Sequence, residues 1–327
     1  MNMLSLKCRL VATIIVGLVI CLLGGCAAGP KAVKVQIPVV VVVNADSTIS
    51  PGIGEYYRKA RNLLPEQVIT INCSFNEEIT KEEYLEKVEK PIRNYLIKST
   101  LKNQIDFIVL TKGVPFRIKE DGYSVDSFLM MMFKDLKPMP NSLTEADAIR
   151  CVNPYFNKKE HFSFMAYGFY LVTRLDGYYD KDAKALVDRS LAAKPFKGRF
   201  LLDMDPNRTG KGYKEKNDSM LSANDILINK GMSVRLDKTD EFIGGMSGLM
   251  GYYSWGSNDK HYNKTAYNSL RFLPGSISET CVSTSAHTFL KVDWWQSLIA
   301  DLVTQGVTGV KGYVSEPYSI ALCPADI

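Results

Sequence analysis

Cys281 is the residue of this sequence whose type and position best suit nucleophilic chemistry. It lies in SISETCVST, residues 276–284, a run of small and β-branched residues that predicts a strand ending near the thiol. A cysteine attacks as the thiolate, which a neighbouring histidine commonly forms by accepting the proton. His287 follows Cys281 by six residues, and His261 lies in an earlier loop. The sequence leaves open a nucleophile assisted by His261 or His287, but it favours an inert, partly buried thiol.

Carboxylates beside other predicted strands could act as a general acid and a general base. Asp126, Asp176 and Glu316 are the three that this placement singles out. Arg174 precedes Asp176 by two residues, so a structural role is the alternative. In that role Asp176 caps the next helix, and Arg174 pairs with Asp126 or Glu316. The pattern favours the structural role without excluding the catalytic one.

The run that begins at Asp203 resembles a calcium loop only in part. Asp203, Asp205 and Asn207 alternate as ligands would, but the sixth position is Arg208 rather than Gly, and the twelfth is Lys214 rather than Glu. The chain has no CxxC or HExxH spacing, and its GKGYK run lacks the spacing of a phosphate-binding loop. We therefore expect a polar loop, no metal site and no cofactor.

Apolar runs alternate with helical patterns along most of the chain. The first run, IPVVVVV at 37–43, has no polar alternation and predicts a strand buried on both faces. The alternation predicts an α/β protein with mainly parallel sheets flanked by helices. We expect two subdomains, 37–195 and 196–327, and an irregular insertion at about 134–162. The predicted strands are 37–43, 67–71, 106–113, 167–175, 196–205, 231–237, 249–257, 276–284 and 306–314, and the predicted helices are 53–62, 80–98, 181–194, 218–230 and 293–304.

Residues 1–25 have the pattern of a lipoprotein signal peptide. A short basic region precedes an uncharged apolar stretch, 10–23, which is shorter than the roughly 20 residues of a membrane-spanning helix. The stretch ends in Leu-Gly-Gly-Cys, a lipobox whose Cys26 takes the diacylglycerol, and residues 26–36 form a tether. Ala27 carries no acidic retention signal. We therefore expect an envelope protein anchored in the membrane by lipid, with the outer membrane favoured if the host has two membranes.

Composition limits the partners of the mature chain. The net charge of +5 falls to about +3 when the two basic residues of the signal are removed, so no nucleic-acid partner is indicated. Outside the cytoplasm the four cysteines that follow Cys26 could form disulfides, and their spacing does not choose among the three possible pairings. These cysteines are Cys73, Cys151, Cys281 and Cys323.

Six motifs in a fixed order carry a resemblance to a known family. The chain resembles an uncharacterised family of exported bacterial proteins that occur in genomes with exosortase-type sorting systems. The resemblance covers about residues 37–320, but it implies no activity, because the family has none established. Members usually continue past the last motif into a further helix and strand, whereas this sequence ends at Ile327. The motifs are VLTKGVPFRI, SVDS at 124–127, NPYF at 153–156, VTRLDG at 172–177, YYSWGS at 252–257 and GYVSEPY at 312–318.

The order of elements is also similar to that of gingipain-type cysteine peptidases, which have a caspase-like fold. VTRLDG resembles the turn before their long helix, and Cys281 stands where their nucleophile stands. The place of their catalytic histidine is taken by Trp255. An indole N–H can donate a hydrogen bond but cannot accept a proton from a thiol. The resemblance therefore implies a caspase-like fold whose peptidase site lacks its base.

Two functions follow from these observations. We expect a lipid-anchored envelope protein that binds a peptide, another polymer or a protein without cleaving it, on a degenerate peptidase-like fold. The alternative is a cysteine-type hydrolase that uses Cys281 with His261 or His287. Because the carboxyl ends of parallel strands share one edge of a sheet, we expect the binding residues to line one crevice. These residues are Asp126, Arg174, Asp176, Trp255 and Glu316.

Replacement of Cys26 by serine tests the anchor. Cys26→Ser removes the sulfur that would carry the diacylglycerol, so the variant should take up no labelled palmitate and should leave the membrane fraction. Acylation binds a bilayer durably because each buried methylene contributes about 0.8 kcal/mol. If the unaltered protein itself takes up no palmitate, the lipoprotein interpretation is wrong.

Overall fold

The computed structural model describes most of the chain from Val35 onward. The signal peptide, Cys26, Cys151 and most of the predicted insertion lie outside the described residues. From Val35 to Ile327 the chain forms one compact unit. None of the helices in this described part has the length and hydropathy needed to cross a bilayer. The described ranges are 35–120, 122–134, 153–195, 198–293, 296–317 and 321–327.

Four strands from the first half of the chain form a parallel sheet. The central strand β1 (Val39–Asn44) lies between β2 (Val68–Ile71) and β4 (Phe107–Thr111), and β6 (Leu171–Leu175) pairs with the other edge of β4. All six residues of β1 are buried. This burial explains why the strand is a run of valines without polar alternation. A separate two-residue parallel ladder joins β3 (Glu78–Ile79) to β5 (Arg117–Ile118).

Five strands from the second half form another parallel sheet, in the order β11-β10-β9-β7-β8. The expectation that the strands around 249–255, 276–283 and 306–313 are neighbours is confirmed, because β10 pairs with both β9 and β11. The strands are β7 (Arg199–Asp203), β8 (Ser233–Asp237), β9 (Leu249–Ser254), β10 (Phe272–Thr280) and β11 (Gly309–Lys311).

Helices connect the strands and cover the sheets. Thr80 caps the helix that begins at Lys81, since its hydroxyl accepts a hydrogen bond of 3.1 Å from the backbone N–H of Glu83. Two of the predicted helix starts are wrong. The helix predicted at 218–230 begins earlier, at Lys211, with Gly210 as its N-cap. The helix predicted at 293–304 begins later, at Ile299, because the backbone of Leu298 is extended. The helices are α1 (Ser50–Ala60), α2 (Lys81–Glu83), a π-helical segment (Tyr84–Glu89), α3 (Lys90–Lys98), α4 (Val125–Met130), α5 (Phe164–Tyr167), α6 (Asp180–Leu191), α7 (Lys211–Asn229), α8 (Lys264–Asn268) and α9 (Ile299–Thr304).

One hydrophobic core joins the two sheets. It contains Val41 and Val109 of the first sheet, Leu201 and Leu249 of the second, and Val187 of α6. Helix α6 packs against β6, β10, α1 and α9, so it belongs to both halves. The α/β class with parallel sheets flanked by helices is therefore confirmed. The two sheets divide on either side of position 195, but they share a core.

Two glycines of α1 provide a matched test of how closely this helix packs on β1. A Cβ at Gly54 would lie 2.1 Å from Cγ1 of Val43, whereas a Cβ at Gly52 meets nothing within 4 Å. Gly54→Ala should lower the free energy of unfolding by about 1–3 kcal/mol, because overpacking outweighs the helix propensity gained. Gly52→Ala should raise it by roughly 0.5–1 kcal/mol. Urea denaturation measures both, and two changes of the same sign would contradict the packing.

Candidate functional site

A pocket of about 300 Å³ opens at the carboxyl ends of β1 and β4. The strand order of the first sheet reverses between these two strands, since the chain passes from β1 to β2 on one side and then crosses to β4 on the other. Such a switch point is where open parallel sheets bind ligands. The lining residues are Asp46, Ser47, Thr48, Ile49, Phe75, Asn76, Glu77, Lys112, Gly113, Val114, Phe116, Asp176, Phe289 and Leu290.

The buried side chain of Asn44, the last residue of β1, holds the loops at the base of the pocket. Its amide nitrogen donates to the carbonyl oxygens of Cys73 at 3.0 Å and Gly113 at 2.8 Å. Gly113 has a φ of 98°, and a Cβ there would lie 2.3 Å from the hydroxyl oxygen of Ser47. Only glycine fits this close, left-handed turn.

A chain of ion pairs runs from the pocket into the protein. Lys112 Nζ lies 3.0 Å from one oxygen of Asp176, Arg174 Nη1 lies 3.3 Å from the other, and Arg174 Nη2 lies 2.6 Å from Asp126. Burial opposes the charge of Arg174, but Asp126 and Asp176 outweigh it and raise the pKa of the guanidinium. The predicted Arg174–Asp126 pair is confirmed. The predicted cap is wrong, because Tyr179 is the N-cap of α6 and Asp176 is held by these cations.

The second half of the chain supplies the opposite wall of the pocket. The Glu77 carboxylate accepts hydrogen bonds of 2.6 Å from the Phe289 backbone N–H and 2.7 Å from the Thr288 hydroxyl. The Phe289 ring packs edge-on against Phe116, with ring centroids 5.4 Å apart. Sequence reasoning did not identify Glu77, Phe289 or Leu290, because these contacts join residues more than 200 positions apart.

Cys281, which the resemblance aligns with a peptidase nucleophile, is closed to solvent. Cys281 is only 1% exposed, and its thiol lies 3.4 Å from the Tyr253 hydroxyl. Burial raises the pKa of Cys281 to about 12. Trp255 belongs to the same buried cluster, as expected of neighbouring strand ends, and its indole N–H donates to Asn217 Oδ1 at 2.8 Å. Neither residue faces an open cleft.

The two candidate histidines interact with groups other than the Cys281 thiol. The Arg117 guanidinium hydrogen-bonds the His287 ring. Burial and the charge of Arg117 lower the pKa of His287. His261 is exposed, and its backbone N–H donates to Asp259 at 2.6 Å. Among the described residues, the side-chain partner of the Cys281 thiol is Tyr253 and not a histidine.

The expectation that all five binding residues line one crevice is wrong. Asp126, Arg174 and Asp176 do come together, and Asp176 lines the pocket. Trp255 is buried in the second sheet, where its indole fills the core, and Glu316 is exposed. The residues were assigned to one edge, but Arg174 and Asp176 lie at the end of β6 in the first sheet, whereas Trp255 follows β9 in the second.

In the calcium-like run, the Asp205 carboxylate is hydrogen-bonded by backbone groups of the protein. Asp205 accepts hydrogen bonds from the backbone N–H of Asn207 at 2.8 Å and of Lys260 at 3.2 Å. In the part of the chain that the structure describes, no group of three His, Cys, Asp or Glu side chains is placed to hold a metal ion. Asp203 is buried, with one carboxylate oxygen unpaired.

The fold and the pocket define a parallel α/β protein with a crevice of ligand size at a topological switch point. Its strand orders are consistent with the caspase-like arrangement that the sequence predicts. Comparisons with protein-family models, curated proteins and solved structures found no match for the chain. The resemblances to the exported family and to gingipains therefore stay predictions.

The buried carboxyl of Asp203 makes stability depend on pH. Burial raises its pKa to about 7, despite a hydrogen bond from Ile243, and the charges of Asp237 and Asp259 raise it further. Between about pH 4 and 7 the folded protein holds a proton that the unfolded chain releases, so stability falls as pH rises. Ionisation of Asp203 lowers the free energy of unfolding by up to about 4 kcal/mol over this range.

Asp203→Asn should remove that loss, because the amide stays neutral at every pH. The free energy of unfolding of the variant, relative to the unaltered protein, should increase between pH 4 and pH 7 and level off above. Urea unfolding of both proteins across this range measures the difference. A difference that does not vary with pH would contradict the assignment.

Proposed function

We propose that this protein is a lipid-anchored component of the bacterial cell envelope that binds a peptide or another polymer without cleaving it. The crevice between β1 and β4 is the binding site in this proposal. The observation that carries it is the coexistence of an open pocket at one switch point with a buried thiol in the other sheet, whose side-chain hydrogen bond among the described residues is to Tyr253. The lipobox at Cys26 supports the location.

The lining of the crevice supports a ligand with exposed apolar side chains. Phe75 is 66% exposed and Leu290 is 62% exposed, although both line a concave surface. Exposed apolar side chains at a cleft are typical of binding sites. Polar specificity comes from Lys112 and Asp176 at the base, where a ligand can exchange hydrogen bonds with a preformed ion pair.

The state of Cys281 is evidence against the hydrolase alternative. A thiol with a pKa of about 12 is almost entirely protonated at neutral pH, and a protonated thiol is a poor nucleophile. Its neighbours Tyr253 and Trp255 supply no base. Activation would need both exposure of the sulfur and delivery of a histidine.

Paired leucine variants test the crevice. Ligands are first selected from pools of synthetic peptides and of soluble oligosaccharides by their binding to the intact protein. Leu290→Ala should then weaken the selected ligand by roughly tenfold or more, because burying a leucine side chain contributes about 1.5–3 kcal/mol. Leu191→Ala is the control, since Leu191 is 50% exposed on α6 and does not line the pocket. Equal affinities for the two variants would place the ligand elsewhere.

Thiol labelling tests the absence of peptidase chemistry. Iodoacetamide at neutral pH should modify Cys281 far more slowly in the folded protein than in urea, by at least about 100-fold, because the thiol is buried and protonated. Mass spectrometry of the digested protein reports each cysteine separately. Rapid labelling of Cys281, together with a peptide-cleaving activity that Cys281→Ala abolishes, would establish the hydrolase instead.

A further inference from the structure

The carboxyl edge of the second sheet is covered by residues 321–327, which we call the tail segment. The segment contains neither strand nor regular α-helix, and Leu322 is its one buried side chain. Its backbone is nevertheless held at several points. Tyr253 donates to the Cys323 carbonyl at 2.6 Å, and Lys311 Nζ donates to the Ala321 carbonyl at 2.6 Å.

Further contacts use buried charges. The Lys216 ammonium group donates to the Leu322 carbonyl, and the Glu279 carboxylate accepts from the Cys323 N–H at 3.0 Å. Lys216 and Glu279 are both more than nine-tenths buried. The Ser219 hydroxyl accepts from the Ala325 N–H at 3.0 Å. Side chains of the fold therefore bind both donors and acceptors of the tail backbone.

This pattern is that of peptide recognition. Hydrogen bonds to the backbone give affinity for an extended segment whatever its sequence, and a pocket for one side chain gives specificity. Here the specificity pocket holds Leu322, which packs with Met220 and Tyr313. When the segment leaves, the buried Lys216 loses the Leu322 carbonyl, and Glu279 loses the Cys323 N–H but keeps Tyr313 and Lys311. A second peptide backbone would restore both lost hydrogen bonds.

We propose that this surface is a peptide-binding groove, which the tail segment occupies in cis and which an external peptide with leucine at the matching position can occupy in its place. The groove lies in the second sheet and is distinct from the crevice of the first, so it goes beyond the function proposed above. The side chains that form it are Lys216, Ser219, Tyr253, Glu279, Lys311 and Tyr313.

Weakening the segment that occupies the groove tests the proposal. The probe is a fluorescent peptide with the sequence of residues 321–327 and serine in place of cysteine. Leu322→Ala should bind it at least about tenfold more tightly than the unaltered protein, because a weaker competitor leaves the groove free for a larger fraction of the time. Ile327→Ala is the matched control, since it shortens a side chain of the same segment that is 58% exposed. It should bind like the unaltered protein.

A probe with alanine in place of its leucine should bind to none of the three proteins. If Leu322→Ala is folded and binds the leucine probe no better than Ile327→Ala, the proposal is overturned. If Leu322→Ala does not fold, hydrogen exchange of the unaltered protein decides. The proposal is supported if the amides of Cys323 and Ala325 exchange much faster than those of β9, and if added probe makes them exchange faster still. Equal exchange shows a fixed part of the core and overturns it.

Discussion

Complete burial of the central strand β1 is the constraint on which the rest of the structure depends. Its valines leave no face for water, so helices must cover both sides of the first sheet, and the connections must return over the sheet to give parallel neighbours. This arrangement gathers the carboxyl ends of the strands at one edge. Polar side chains collect there because the core has no place for them. The crevice is the space left where the strand order reverses.

Both sheets use buried charge at these edges, but with different results. In the first sheet, Lys112 and Arg174 share Asp176, and the ion pair sits at the base of an open pocket. At the second, Lys216 of α7 and Glu279 of β10 lie under a segment of the chain itself and hydrogen-bond its backbone, and Glu279 also accepts from Tyr313. A buried charge is tolerated only when its partners are fixed. The buried charges of the first edge therefore lie beneath solvent, whereas those of the second edge lie beneath a segment of the protein.

In the second sheet, the strand ends that the sequence resemblance assigns to a peptidase site are buried. The ends of β9 and β10 are neighbours, as in an arrangement that brings a base to a thiol. Trp255, which the resemblance aligns with a catalytic base, is a buried ring whose N–H donates to Asn217. The ring belongs to the same buried cluster as Cys281, which is closed to solvent. Both residues contribute to core packing at this edge of the sheet.

Local patterns in the sequence determined the order of the elements. Alternation of β-branched runs with helical periodicity identified each strand of the two main sheets, and with them the parallel α/β class, because both signals depend on neighbouring residues. The short ladder of β3 and β5 and the short helices α4, α5 and α8 escaped notice, since a few residues carry no periodicity. The sequence left Asp126 and Glu316 as possible partners of Arg174, and the structure has Asp126.

Only the tertiary structure decided which strand ends share a site. The sequence placed Trp255 and Asp176 in one crevice, but membership of a sheet depends on how strands pair, which no local pattern records. The wall that Phe289 and Glu77 build together depends on contacts between distant parts of the chain. The burial of Cys281 likewise arises from packing with residues of other elements. Long-range packing, unlike periodicity, is a property of the folded chain as a whole.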